Sequence, residues 1–234
     1  MAGAVRAMRE KEARLAGRTF TIALFGAFSA GKSSFINALL GERLLPVSPN
    51  PTTAAINRIV PVRDGWEHGS ARVVFKTERQ VLEDIQASLR RFGLEAPSVS
   101  EALRLIAGLR PDRLNGQAKP HYAFLKAVAA GWEEARSRLG TEIKADPAQF
   151  AGFAADERKS CFVDSIELHC DNPLTGQGMV FVDTPGADSI NARHTGVAFN
   201  YIKNADAILF VTYYNHAFSR ADREFLLQLG RVKD

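Results

Sequence analysis

At 234 residues with 46% hydrophobic content, the chain is long enough for one large domain with a sizeable core, which excludes a disordered or fibrous protein. Its 30 basic and 26 acidic residues leave a net charge of +4 but alternate along the chain without long single-sign runs, so charge alone makes no case for nucleic acid as a partner. Cys161 and Cys170 lack C-x-x-C spacing and follow no secretory signal, which reads as two reduced thiols in a cytoplasmic chain, and no window approaches about 18 uninterrupted apolar residues.

In chain order, residues 1–19 read as a leading amphipathic helix, with Val5, Met8 and Leu15 on one stripe and Gly17 as a stop. Phe20 to Phe25 is nearly all apolar and partly β-branched, the pattern of a buried parallel strand. A glycine-rich loop follows, then a helix from Ser33 to Leu40 ended by Gly41. Leu45 to Thr53 holds three prolines and reads as an adjustable loop. Strand patterns follow at Ala55 to Val62, interrupted by Pro61, and at Ala71 to Lys76. From about 78 to 160 the texture is helical, with segments Gln80 to Phe92, Val99 to Gly108, Pro120 to Leu139 and Pro147 to Ala155. Strands are expected again at Val163 to Cys170, Gly178 to Val182 and Ala207 to Tyr213, joined by a turn at Asp171-Asn172-Pro173 and Gly176. Helices are expected at Thr195 to Asn204 and Ser219 to Leu229.

Gly26-Ala27-Phe28-Ser29-Ala30-Gly31-Lys32-Ser33 is a complete G-x-x-x-x-G-K-S between a strand and a helix, the context a phosphate-binding P-loop requires. Its main-chain N–H groups and the helix N-terminus face an anion, Lys32 reaches the β- and γ-phosphates, and the Ser33 hydroxyl, followed by Ser34, is placed for Mg²⁺. Asp183-Thr184-Pro185-Gly186 directly follows the apolar run Met179 to Val182, so Asp183 stands at the C-terminal edge of a buried strand, where open α/β sheets place ligands. There Asp183 suits Mg²⁺, and the Gly186 N–H suits the γ-phosphate. Thr52 and Thr53 lie in the proline-rich loop between these motifs, where a threonine hydroxyl closes on Mg²⁺; Thr53 is the better placed, and a plain turn-capping role is the alternative. Ala187 occupies the position where Ras-like enzymes carry a water-orienting glutamine, leaving Ser29 as the nearest substitute. The five histidines show no ligand spacing, Trp66 and Trp132 read as packing residues, and Arg58 and Arg193, beside the two loops, read as solvated charges, with charge stabilisation at the site as the alternative.

Taken together, G-A-F-S-A-G-K-S-S-F-I-N-A-L-L-G, P-T-T-A, V-F-V-D-T-P-G and A-D-A-I-L-F-V resemble the G domain of dynamin-like proteins, most of all the bacterial members, over Phe20 to Leu229 apart from the helical insert. The resemblance implies GTP as substrate with Mg²⁺ and a monovalent cation, K⁺ or Na⁺. Ser29 would place water and that cation, Lys32 and Ser33 would hold phosphate and Mg²⁺, Thr53 would be the first-switch threonine, and Asp183 and Gly186 the second-switch pair. It further implies self-association through G domains and contact with membrane lipids through regions outside residues 1–234, at the inner face of the cell membrane, with no nucleic-acid partner. Two departures stand out. Phe28 replaces the glutamine that eukaryotic dynamins carry before this serine, and no N/T-K-x-D guanine motif is present, since Arg231-Val232-Lys233-Asp234 has arginine at its first position.

The expected architecture is a doubly wound, mainly parallel α/β sheet of the P-loop GTPase type over 20–234, with a helical insert at about 78–160 and further strands expected after Leu229. Two other functions fit the same motifs: a regulatory switch, such as a ribosome-assembly GTPase, in which GTP selects a binding conformation, and a domain that holds nucleotide without turnover.

Overall fold

A computed structural model describes residues 19–26, 30–47, 56–110, 118–184 and 204–212, with isolated positions outside these runs. The strands among them are β1 (Phe20–Phe25), β2 (Ile56–Pro61), β3 (Ala71–Phe75), β4 (Glu142–Ala145), β5 (Val163–Cys170), β6 (Met179–Asp183) and β7 (Ala207–Phe210). All seven join one sheet in the order β4-β3-β5-β2-β6-β1-β7. β1 lies parallel to β6 and β7, and β2 parallel to β5. β2 runs antiparallel to β6, and β3 antiparallel to both β4 and β5. The sheet is therefore mixed, parallel around β1 and antiparallel toward the β4 edge.

Period-two alternation sorts each central strand between two cores. Leu24, Ile59 and Phe181 join the larger one, whereas Ala23, Val60, Val180 and Val182 join a smaller one with Ala205. Burial on both sides is why these strands read as near-continuous apolar runs. The larger core is filled from α1 (Lys32–Leu40), α2 (Glu78–Leu89), α3 (Val99–Gly108), α4 (Ala118–Ala135) and α5 (Pro147–Ala155), through Ile36, Ile85, Ile106, Leu125 and Phe150 among others. Short 3₁₀ turns at Arg90–Phe92 and Arg136–Arg138 extend α2 and α4. Capping fixes where several helices begin: Thr77 with Gln80 and Asp146 with Gln149 form reciprocal capping boxes, and Ser98 accepts from the Glu101 N–H.

The opposite face over β2, β3, β4 and β5 is polar. Arg58 and Arg63 pair with Glu167 at 2.9 and 3.2 Å, and Arg72 pairs with Glu142. Trp66 stacks on His169 there with ring centroids 4.8 Å apart.

Within the stretch expected to be helical, residues Glu142–Ala145 form β4 instead. E-I-K-A carries one β-branched residue and no internal signal; it is a strand because the turn at Gly140, with φ of 73°, lays it along β3 in the register Ala71↔Ala145 to Val74↔Glu142. Likewise, Pro173–Gly176, expected as a turn, forms one short helical turn, α7, capped by Asn172, while Glu157–Ser160 forms the short α6. Apart from Thr19 and Asn204, the expected leading helix of 1–19 and the helix at Thr195 to Asn204 lie outside the described runs, and of Ser219 to Leu229 only Arg223, Leu226 and Leu227 are described, each helical. Among the described residues no helix is long and apolar enough to cross a membrane.

Candidate functional site

β1 ends at Phe25 and the chain turns at Gly26, with φ of 155°. A Cβ there would lie 2.1 Å from the Val211 carbonyl oxygen, where the chain leaves β7, so only glycine fits this approach. Gly31, with φ of 93°, is the N-cap of α1; it offers no capping side chain, and the first turn holds no acidic residue. With no side-chain cap and no acidic residue in the first turn, the positive end of the helix dipole suits an anion.

Lys32 is buried, and its Nζ donates to the Gly26 carbonyl at 3.0 Å, which holds the ammonium beside the end of β1. The Ser33 hydroxyl donates to Asp183 Oδ2 at 2.6 Å, tying the first turn of α1 to the end of β6. Asp183 is 1% exposed, and its Oδ1 has no hydrogen-bond partner among the described residues. Burial pushes its carboxyl pKa up, opposed by the Ser33 hydrogen bond and the Lys32 charge. Thr184, also buried, anchors the next position by donating its hydroxyl to the Leu24 carbonyl at 2.7 Å. A half-satisfied buried carboxylate beside a serine hydroxyl is the all-oxygen donor set that Mg²⁺ takes, and the residues present therefore fit that ion.

Of the other site residues inferred from sequence, Ala30 is half-buried beside Gly31 and Ser34 is exposed on the first turn of α1. Ala27, Phe28, Ser29, Thr53 and Gly186 lie outside the described residues, as do Thr52, Ala187 and Arg193. Arg58 is engaged with Glu167 on the polar face of the sheet.

Two features were not visible in the sequence. Asn57, a polar residue in the run I-N-R-I-V, is 5% exposed, pairs across the sheet with Asp183, and has an Oδ1 without a hydrogen-bond partner among the described residues. Glu42, His68 and Cys170, distant in sequence, bring ligand-type atoms within 4.8 Å of one another. Hydrogen bonds account for that cluster: Cys170 donates to Glu42 Oε1 at 3.3 Å, His68 Nε2 lies 3.3 Å from Glu42 Oε2, and the Asp171 N–H donates to His68 Nδ1 at 3.1 Å. Both cysteines are buried and their thiols are pushed up to about 12, chiefly by burial, so they stay protonated at neutral pH.

Comparison with known proteins gives the chain its family. Dynamin-like protein A of Bacillus subtilis (strain 168) is 41% identical over 230 residues, covering 97% of this chain and 19% of that protein. Bacterial dynamin-like protein of Nostoc punctiforme is 25% identical over 209 residues, covering 88% of this chain and 22% of its own length. The chain thus spans about a fifth of the length of these relatives. A solved chain from an oligomerised bacterial dynamin pair, described as providing a mechanism for long-range sensing and tethering of membranes, shares the fold with a TM-score of 0.66 at 19% identity, covering 95% of this chain and 32% of that one. A model of the dynamin family matches residues 22–234, from within β1 onward, and the chain belongs to that family.

Proposed function

We propose that this chain is the G domain of a dynamin-like GTPase, binding GTP with Mg²⁺ and hydrolysing its β–γ phosphoanhydride. The observation that carries the reading is the 2.6 Å contact of Ser33 with the buried Asp183, beside an uncapped helix N-terminus and a buried Lys32. Phosphate charge is met by the Lys32 ammonium and the α1 N–H groups, while Ser33 and Asp183 are the groups that would hold Mg²⁺; when bound, that ion neutralises charge developing on the phosphates. Thr53, from the loop before β2, would add a hydroxyl to the same ion, and the Gly186 N–H would report the γ-phosphate.

With Ala187 in the glutamine position, orienting water falls to Ser29, completed when two G domains meet across their nucleotides and a monovalent cation, K⁺ or Na⁺, compensates charge. Family membership supports self-association, peripheral action at the inner face of a membrane with fusion or tubulation of that membrane, and a mechanoenzyme rather than a regulatory switch. The membrane tethering described for the oligomerised bacterial pair supports the same reading.

One experiment tests this: GTP affinity and turnover of the full-length protein against enzyme concentration, for wild type, Lys32→Ala and Ser29→Ala. Lys32→Ala is expected to weaken GTP binding by about a hundredfold or more, the loss of a charge-assisted phosphate contact worth about 3 kcal/mol. Ser29→Ala is expected to keep binding and lose turnover, and wild-type specific activity is expected to rise with concentration. Unchanged affinity in Lys32→Ala refutes the site, whereas flat specific activity with a neutral Ser29→Ala refutes the dimer-activated mechanism.

A further inference from the structure

β2 begins three residues after Thr53 in the chain, and because it runs antiparallel to β6, its first residues lie against the last residues of that strand. The register places Asn57 directly opposite Asp183. Directly opposed residues of an antiparallel pair project from the same face with Cβ atoms about 5 Å apart. That face is the one α1 covers, since Ile59, two residues on from Asn57, and Phe181, two residues before Asp183, share the core of Ile36. Asn57 and Asp183 are 5% and 1% exposed, and each has one side-chain oxygen without a hydrogen-bond partner among the described residues. Two neighbouring buried acceptors cannot satisfy each other, and such orphaned oxygens in a core call for a donor that the described residues do not supply. A water donating to both can bridge acceptors up to about 5.5 Å apart. Mg²⁺ keeps several waters whose polarised protons seek acceptors of this kind.

We propose that Asn57 is a positioning residue of the nucleotide site, its carboxamide oxygen accepting from a water of the Mg²⁺ hydration shell that Asp183 also holds. This rests on the Mg²⁺-nucleotide reading given above. Asn57 touches neither substrate nor ion; it orients the water between Asp183 and the cation, and it couples the strand that follows the Thr53 loop to metal occupancy.

The test uses the full-length protein loaded with GDP, titrated with MgCl₂, with GDP dissociation as readout, alongside thermal unfolding of the nucleotide-free, metal-free protein. Asn57→Leu is expected to weaken Mg²⁺ about tenfold, to leave GDP affinity in EDTA unchanged, and to raise the unfolding temperature of the metal-free protein, because a buried oxygen without a partner is gone. Asn57→Asp, which keeps an acceptor at the same place, is expected to retain Mg²⁺ affinity. Equal Mg²⁺ affinity in wild type and Asn57→Leu overturns the proposal, as does a lowered unfolding temperature of metal-free Asn57→Leu with GDP affinity reduced in EDTA, which marks a purely structural role. Wild-type protein that binds GDP no better with Mg²⁺ than without overturns the underlying reading instead, and the wild-type control separates the two failures.

Discussion

Gly26 shows how far a single backbone position governs the site. The Val211 carbonyl oxygen that a Cβ would meet belongs to a residue held in place by its own N–H, which donates to the Phe25 carbonyl at 2.6 Å, so neither side can yield without breaking strand pairing. Gly26→Ala is therefore expected to cost at least about 2 kcal/mol and to lose nucleotide affinity, since the loop leaving β1 must move. Thermal unfolding and GTP titration check this, and wild-type values in both contradict the geometry. The glycines, Lys32, Ser33 and Asp183 were legible in the sequence because their spacing and strand-and-helix flanks are local signals. Asn57 and the Glu42–His68–Cys170 cluster were not, because each depends on a register between segments far apart in the chain, which no local pattern encodes.

At the scale of elements, the helical layer is locked by close contacts that sequence periodicity does not show. Gly131, in the interior of α4, has the Arg158 carbonyl oxygen 2.0 Å and the Phe162 ring 2.8 Å from where a Cβ would stand, so α4 packs directly on α6 and the residues leading into β5. Nearby, the Lys76 ammonium, wholly buried, donates to Asp84 at 2.9 Å and to the Cys161 carbonyl at 2.7 Å, joining the end of β3 to α2 and to the same turn. In an exposed helix, Gly→Ala gains about 1 kcal/mol; here Gly131→Ala is expected to lose about 2–3 kcal/mol, because the clash is with backbone. Chemical denaturation measures the sign, and a stabilised Gly131→Ala would show that α4 and α6 part easily. Strands such as Val163–Cys170 and helices such as Val99–Gly108 were readable because length, cap and apolar period agree within each segment. β4 was not, since its four residues become a strand only by pairing with β3.

At the scale of the whole molecule, the helical layer described above and the polar face over β3, β4 and β5 give the described histidines two distinct environments. His121, on α4, is buried beside Ser88, and His169, on β5, is buried beneath Trp66. Burial lowers the pKa of both below the ordinary 6.5, aided for His121 by the charge of Arg91; for His169 the Pro61 carbonyl and Glu167 oppose the shift. A folded state that disfavours protonation has its full stability above the unfolded value and loses it as pH falls from about 6.5 toward the depressed folded values. Asp183, shifted upward, works in the opposite sense, gaining folded-state stability as pH falls through its raised value. The histidine contribution is thus a difference: between pH 7 and pH 5, wild type is expected to lose stability more steeply than a variant with His121→Gln and His169→Gln. Parallel pH profiles of the two would mean that neither ring is held neutral by the fold.

Trp66 turns that titration into light. Its indole lies against His169 and is flanked by the Arg63 guanidinium at 5.8 Å and the Lys144 ammonium at 5.5 Å, whereas Trp132, the chain's other tryptophan, rests near the Phe162 ring in the helical layer. An imidazolium quenches indole emission where a neutral imidazole does so far less, so the Trp66 signal dims as His169 gains its proton, while the Trp132 signal follows only the packing of the helices. Replacing either tryptophan by phenylalanine leaves a chain with a single optical channel, one tuned to the charge state of the sheet's polar face and the other to the integrity of the layer behind it.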